Sequence, residues 1–161
     1  STIKRYTLII PEGAEKEVGF PYWWISIWNI GKNIGTKMVF HGHQNVLSIL
    51  KDVHAKHTIN AEFREFTNWE HFAEIGREIK ENDALIIVMS RSGYPSYSRH
   101  MAYVPTYLNK YFNTVNCILI YPLQLGMEDD MSTFRSISMV NYLDGIDGLG
   151  KVIRQLFKKN K

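Results

Sequence analysis

The residues best suited to holding a ligand lie between Ser90 and His100, in the order Ser90-Arg91-Ser92-Gly93-Tyr94-Pro95-Ser96-Tyr97-Ser98-Arg99-His100. Ser90, Ser92, Ser96 and Ser98 offer hydroxyls, Arg91 and Arg99 offer forked cationic donors, and Gly93 lets the backbone turn or approach a ligand closely. Placed just ahead of a helix, such a set suits a phosphate or carboxylate, with the first helical amides as further donors. The same composition also makes an ordinary turn with solvated arginines. No G-x-x-x-x-G-K-[ST] is present to decide between the two.

Other chemistry is sparse. His41 and His43 close one expected strand, whereas His54 and His57 close the helix that follows it, about 18 Å further along. The two pairs fall at opposite ends of a sheet, so no metal site is expected from them. Cys117 sits inside an apolar run, as a buried and inert packing residue would. Glu128, Asp129 and Asp130 read as a solvated turn. There is no G-x-S-x-G elbow and no pair of acids at a strand end, so no catalytic residue and no cofactor is expected. One helix stands out, because Tyr22, Trp23, Trp24, Ile25, Ile27, Trp28 and Ile30 wrap more than one of its faces. Trp24 and Trp28 share a stripe with Ile27, but Trp23 points about 100° away from Trp24. Trp23 is therefore expected at the rim, as an interface anchor.

The elements that must position these residues alternate regularly. Strand-like runs at Tyr6 to Ile10, Thr36 to Phe40, Glu62 to Phe66, Ala84 to Met89 and Asn116 to Tyr121 are separated by helical patterns. Those helices begin at Gly19, Asn45, a Thr67-x-x-Glu70 capping box and the end of the Ser90 to Arg99 loop. Ala84 to Met89 and, within the last strand, Cys117 to Tyr121 are continuously apolar, the mark of strands covered on both faces. Leu149, Val152, Ile153, Leu156 and Phe157 form a last amphipathic stripe, and Ser136 to Tyr142 fits a short extra strand. Strands alternating with helices predict an α/β fold: one domain over residues 1–161, with a doubly wound parallel five-stranded sheet and a C-terminal extension. Ligands in such sheets bind beyond the carboxyl ends of the strands, where the Ser90 loop lies.

With 161 residues, 45% of them hydrophobic, the chain is a globular domain and not a disordered or low-complexity one. The net charge of +3 comes from its end, since residues 151–161 carry five basic groups and no acid. The preceding 150 residues hold the other 14 basic groups against all 16 acids, so the broad basic face that nucleic acid requires is not expected. A single cysteine favours a reducing, cytoplasmic setting. No apolar run approaches the roughly 20 residues of a membrane helix, and no secretory leader opens the chain. Ser at position 1 in place of Met suggests a processed chain or a domain from a longer one.

Taken together, the alternating elements and the loop VMSRSGYPSYSRHMAYVPTYL resemble the universal stress protein family. That resemblance implies a Rossmann-like sheet in the order 3-2-1-4-5 and dimers through the fifth strand. One branch of the family binds ATP on a G-x-x-G-x9-G-[ST] loop. Here Gly93 matches the second glycine, but Ser90, Tyr103 and Val104 stand at the other three positions. The acidic residue expected after the first strand is replaced by Pro11, with Glu12 one step on. ATP or another nucleotide is accordingly not expected to bind tightly.

A closer resemblance covers Asp83 to Gln124, DALIIVMSRSGYPSYSRHMAYVPTYLNKYFNTVNCILIYPLQ. Its S-R-S-G-x-x-S-Y loop, P-x-x-L-x-K-Y-F helix end and I-L-I-Y-P strand end are similar to the C-terminal cytoplasmic domain of bacterial sodium(potassium)/proton antiporters. This resemblance implies a non-catalytic regulatory or interaction domain of a monovalent cation/proton antiporter. Its partner is then the transmembrane portion of the transporter, on the cytoplasmic side of the bacterial inner membrane. Ile118 and Ile120 of the fifth strand are the expected homodimer contacts. The alternative is a stand-alone universal stress protein that binds a nucleotide. A small hydrolase or nucleotidyl-transfer enzyme is the third option, with no nucleophile–base set to support it.

Overall fold

A computed structural model describes residues 3–125. The expected strand at Ser136 to Tyr142, the last helix and the acidic run at 128–130 lie outside these residues. Five strands form one sheet in the order 3-2-1-4-5: β1 (Arg5–Ile9), β2 (Lys37–Gly42), β3 (Ala61–Glu65), β4 (Asp83–Val88) and β5 (Asn116–Ile120). Every pairing is parallel. Four helices connect them: α1 (Phe20–Ile34), α2 (Gln44–Lys56), α3 (Phe72–Glu78) and α4 (Val104–Tyr111). This is the doubly wound α/β sheet that the alternation predicts.

Strand alternation divides the core into two layers. Leu8, Ile10, Met38, Phe40, Ile86 and Val88 pack with Trp24 and Trp28 of α1 and with Val46, Leu50 and Val53 of α2. Ile9, Leu85, Ile87 and Met89 face the other way, onto Phe72 and Ile75 of α3, Val104 of α4 and Phe112 just beyond it. β1 and β4 are buried over most of their length because helices cover both of their faces. At the C-terminus of α1, Gly35 adopts φ 71° and its amide bonds the Gly31 carbonyl at 3.0 Å, the left-handed cap that glycine makes without strain. Trp28 Nε1 donates to the His57 carbonyl at 2.9 Å, which fixes α1 against the end of α2.

Four expectations are corrected. Trp23 is 7% exposed and belongs to the core, with its ring edge-on to Phe20 at 5.4 Å. Gly19 lies one turn before it on the same side, and a Cβ there would come within 2.5 Å of the Leu123 backbone. The chain after β5 thus passes against the start of α1 at Gly19. The cap ahead of α3 is Asn68 and not Thr67: Asn68 Oδ1 accepts the Glu70 amide at 3.0 Å, because a 3₁₀ turn (Trp69–His71) precedes the helix. β5 stands at the sheet edge, as the 3-2-1-4-5 order implies, but it is not covered on both faces as its apolar run suggests, since Asn116 and Ile118 are exposed. Cys117, on that edge strand, is half-buried where full burial was expected.

Candidate functional site

The winding direction reverses between β1 and β4, and the loops that leave these two strands meet there. Gly13, at φ 82°, lies so close to Pro95 that a Cβ would sit 3.0 Å from its carbonyl oxygen. The buried Glu17 carboxylate accepts the Ser96 amide at 3.0 Å and its hydroxyl at 2.7 Å. A crevice of about 390 Å³ opens beside this joint. Its wall includes Lys16, Thr67, Asn68, Trp69, Ser96, Ser98 and His100. One exposed ammonium, the exposed Glu12 carboxylate, several hydroxyls, an amide and an imidazole suit a small polar molecule with a flat part to lie on Trp69.

The expected anion loop is divided by the structure. Ser96 and Ser98 reach the crevice, although Ser96 is tied to Glu17 and Ser98 caps the next turn by accepting the His100 amide at 3.3 Å. Ser90 and Arg91 instead lock onto the chain beyond β5. Gln124 is wholly buried; its Nε2 donates to Ser90 Oγ at 2.7 Å, and its Oε1 accepts the Arg91 amide and Nη1, each at 3.2 Å. Arg91 Nη1 also donates to the Pro122 carbonyl at 2.7 Å, and its guanidinium lies 5.6 Å from the Tyr121 ring centre. Ser92, Gly93 and Arg99 are exposed and lie outside the crevice wall. Gly93, at φ 90°, serves the turn and not a close approach, since a Cβ there would meet nothing.

Several of these groups carry no sequence motif. Glu17 is one acid in an unremarked loop, and Gln124 is the last residue of the stretch that carries the antiporter resemblance. Lys16, Thr67, Asn68 and Trp69 come from two loops that only the sheet order brings together. A regular expression along the chain could find none of these groupings.

A second, smaller hollow of about 200 Å³ lies between β2, β3 and α3, lined by His41, Arg64, His71, Glu74 and Glu78 among others. Arg64 Nε donates to Glu62 at 2.9 Å and its Nη1 to Glu78, while Lys37 lies 3.0 Å from Glu62. Hydrogen bonds from Arg64 and Lys37 hold the Glu62 carboxyl at about 2. Burial, reinforced by the Arg64 charge, pushes His41 down to about 4, so it is a neutral imidazole at neutral pH. Burial raises the Cys117 thiol, which weakens it as a nucleophile. Among the described residues no group of three or more His, Cys, Asp or Glu side chains is placed to hold a metal ion, and no helix is long and apolar enough to cross a membrane. Comparison with known proteins finds no family, no curated protein and no solved structure that matches the chain.

Proposed function

We propose that the chain is a non-catalytic regulatory or interaction module of a monovalent cation/proton antiporter, held on the cytoplasmic side of the bacterial inner membrane by the transmembrane portion. The observation that carries this reading is the lock between the loop after β4 and the segment after β5, both within the resembling stretch. Ser90 and Arg91 of S-R-S-G are bonded to Gln124 and Pro122 of the Y-P-L-Q segment. The loop and the strand end that share in the resemblance are thus joined directly in the fold. Within the same stretch the Ser96 amide and hydroxyl are both tied to the buried Glu17 carboxylate, and the Ser90 hydroxyl is bonded to the Gln124 amide, so both hydroxyls hold loops together. A module built this way acts by binding, and the crevice at the switch point is where an effector would sit.

The test is made in the parent reading frame. Removal of the segment is expected to leave cation-driven proton exchange in everted membrane vesicles intact while changing its dependence on pH or on the ion. A reading frame that encodes no apolar spans of about 20 residues would overturn the proposal.

The alternative, a stand-alone nucleotide-binding stress protein, draws support from the same crevice and from Lys16 at its wall. Against it stand the positions of the missing glycines. Val104 is a buried core residue and Tyr103 carries a full side chain, so neither offers bare backbone to a phosphate. Calorimetry with ATP is expected to give a dissociation constant weaker than about 100 µM, or about −5.5 kcal/mol. A low-micromolar value would favour the alternative.

A further inference from the structure

We propose that the outer face of α4 docks on the headgroup layer of an anionic lipid bilayer. Tyr103, Tyr107 and Tyr111 repeat at i, i+4 and i+8 and are 60%, 42% and 53% exposed. They form a stripe about 12 Å long on one side of the helix. Tyr107 stacks on Tyr111 at 5.9 Å, and Lys110 Nζ lies 5.2 Å from the Tyr111 ring centre. Arg99 is exposed in the turn just ahead of the stripe.

Charge selects the occupant. Residues 84–127 contain no Asp or Glu, although the chain has 16 acids in all. Their charged side chains are Arg91, Arg99 and Lys110, and they hold six of the chain's 9 tyrosines. The acids on the neighbouring α3 turn the other way: Glu78 pairs with Arg64, and Glu74 lies beside His71 in the hollow under β3. Tyrosine places an apolar ring and a polar tip at the depth where lipid headgroups meet water, and basic residues beside it are drawn to anionic lipid. A protein partner would use charges of either sign and a pocket for its anchors. This stripe has one sign of charge, and none of its tyrosines lines either hollow. One short helix gives a weak and reversible contact, a second signal that adds to any tether. The proposal does not depend on the transporter reading, since a peripheral module of any origin would show the same binding.

The experiment is sedimentation of the full chain with vesicles of phosphatidylcholine alone or with about 30% phosphatidylglycerol, at low and high salt. Binding to the anionic vesicles alone, weakened by salt, is expected. Lys110→Glu should reduce the partition coefficient at least about fivefold. Tyr103→Ser with Tyr111→Ser should reduce it by a similar factor; Tyr107 is kept because its ring lies 6.0 Å from Phe72. Melting curves of both variants should match the parent. The basic end needs its own control, Lys158→Glu with Lys159→Glu, in which the dependence on Lys110 must persist. Absence of binding to anionic vesicles at low salt would overturn the proposal. So would binding that ignores both α4 variants and vanishes in the Lys158/Lys159 control. Loss of binding to a purified transmembrane partner in the α4 variants, with vesicle binding unchanged, would assign the stripe to protein and equally overturn it.

Discussion

At the scale of single residues, His41 and Gln124 decide what can be measured. His41 titrates near 6.5 in the unfolded chain and at about 4 in the fold, where burial and Arg64 oppose its charge. Between those two values the unfolded chain holds the extra proton, so stability is full above about pH 6.5 and declines as the pH falls toward 4. The loss approaches about 3 kcal/mol at the acid end and is about 2 kcal/mol at pH 5. Melting at pH 7.5 and at pH 5 should therefore differ by about 4 to 8 °C, and His41→Gln should flatten that difference whatever it does to the absolute value. An unchanged slope in the variant would place the titration elsewhere. Gln124 makes a different demand: Gln124→Leu leaves the buried Ser90 hydroxyl and the Arg91 amide without their partner and should cost about 2 to 3 kcal/mol. Arg99→Ala, at an exposed site in the same loop, should change stability by less than about 0.5 kcal/mol. Chemical denaturation of the two variants separates a structural lock from a solvated turn, the two readings that loop composition alone leaves open.

Among the elements, α3 approaches Phe112 closely at Gly76. A Cβ on Gly76 would lie 2.4 Å from Phe112 Cζ and 2.7 Å from Cε1. Alanine gains about 1 kcal/mol of helix propensity, but the ring is in the core and is held by Phe72 at 5.4 Å. Overpacking should win, and Gly76→Ala should lower stability by about 1 to 2 kcal/mol. Phe112→Leu, which costs stability on its own, should make that second substitution nearly neutral, and a double-mutant cycle measures the coupling. The same clash shows why the elements were legible in the sequence and their contacts were not. β4 reads directly as a strand because burial on both faces removes every polar residue from Ala84 to Met89. β5 reads identically from Cys117 to Tyr121 although it is an edge, because composition reports apolarity and not which strand comes last in the sheet. Trp23 reads as a rim residue for a related reason: helical angles locate its ring relative to Trp24, but only the tertiary packing, with Phe20 edge-on to it, reveals that it belongs to the core. The crevice was legible only through Ser96 and Ser98, since Lys16 and Trp69 join it through the sheet order and not through spacing along the chain.

For the whole molecule, the open question of assembly turns on β5. Among the described residues it pairs with β4 on one side and with no strand on the other, and Ile118 is 50% exposed on it. An apolar strand with a free row of amides and carbonyls is a template for another chain, and proteins usually pair or cover it. Two copies related by a two-fold axis would place β5 against β5 in antiparallel register and bury both copies of Ile118. Ile120, already partly packed on the α1 layer, would lie beside that seam. The expected result is a dimer in sedimentation velocity at high micromolar concentration. Ile118→Lys should give a monomer with an unchanged melting curve, because a charge on an exposed edge blocks pairing without disturbing the core. A monomeric parent chain at that concentration would exclude the dimer and leave the edge to residues beyond Leu125, where the run Ser136 to Tyr142 has the composition of a strand. Cysteine gives an independent check. In an antiparallel seam the two copies of Cys117 lie near the axis on the α4 side, and a short bifunctional maleimide should link them only in the parent dimer and not in Ile118→Lys.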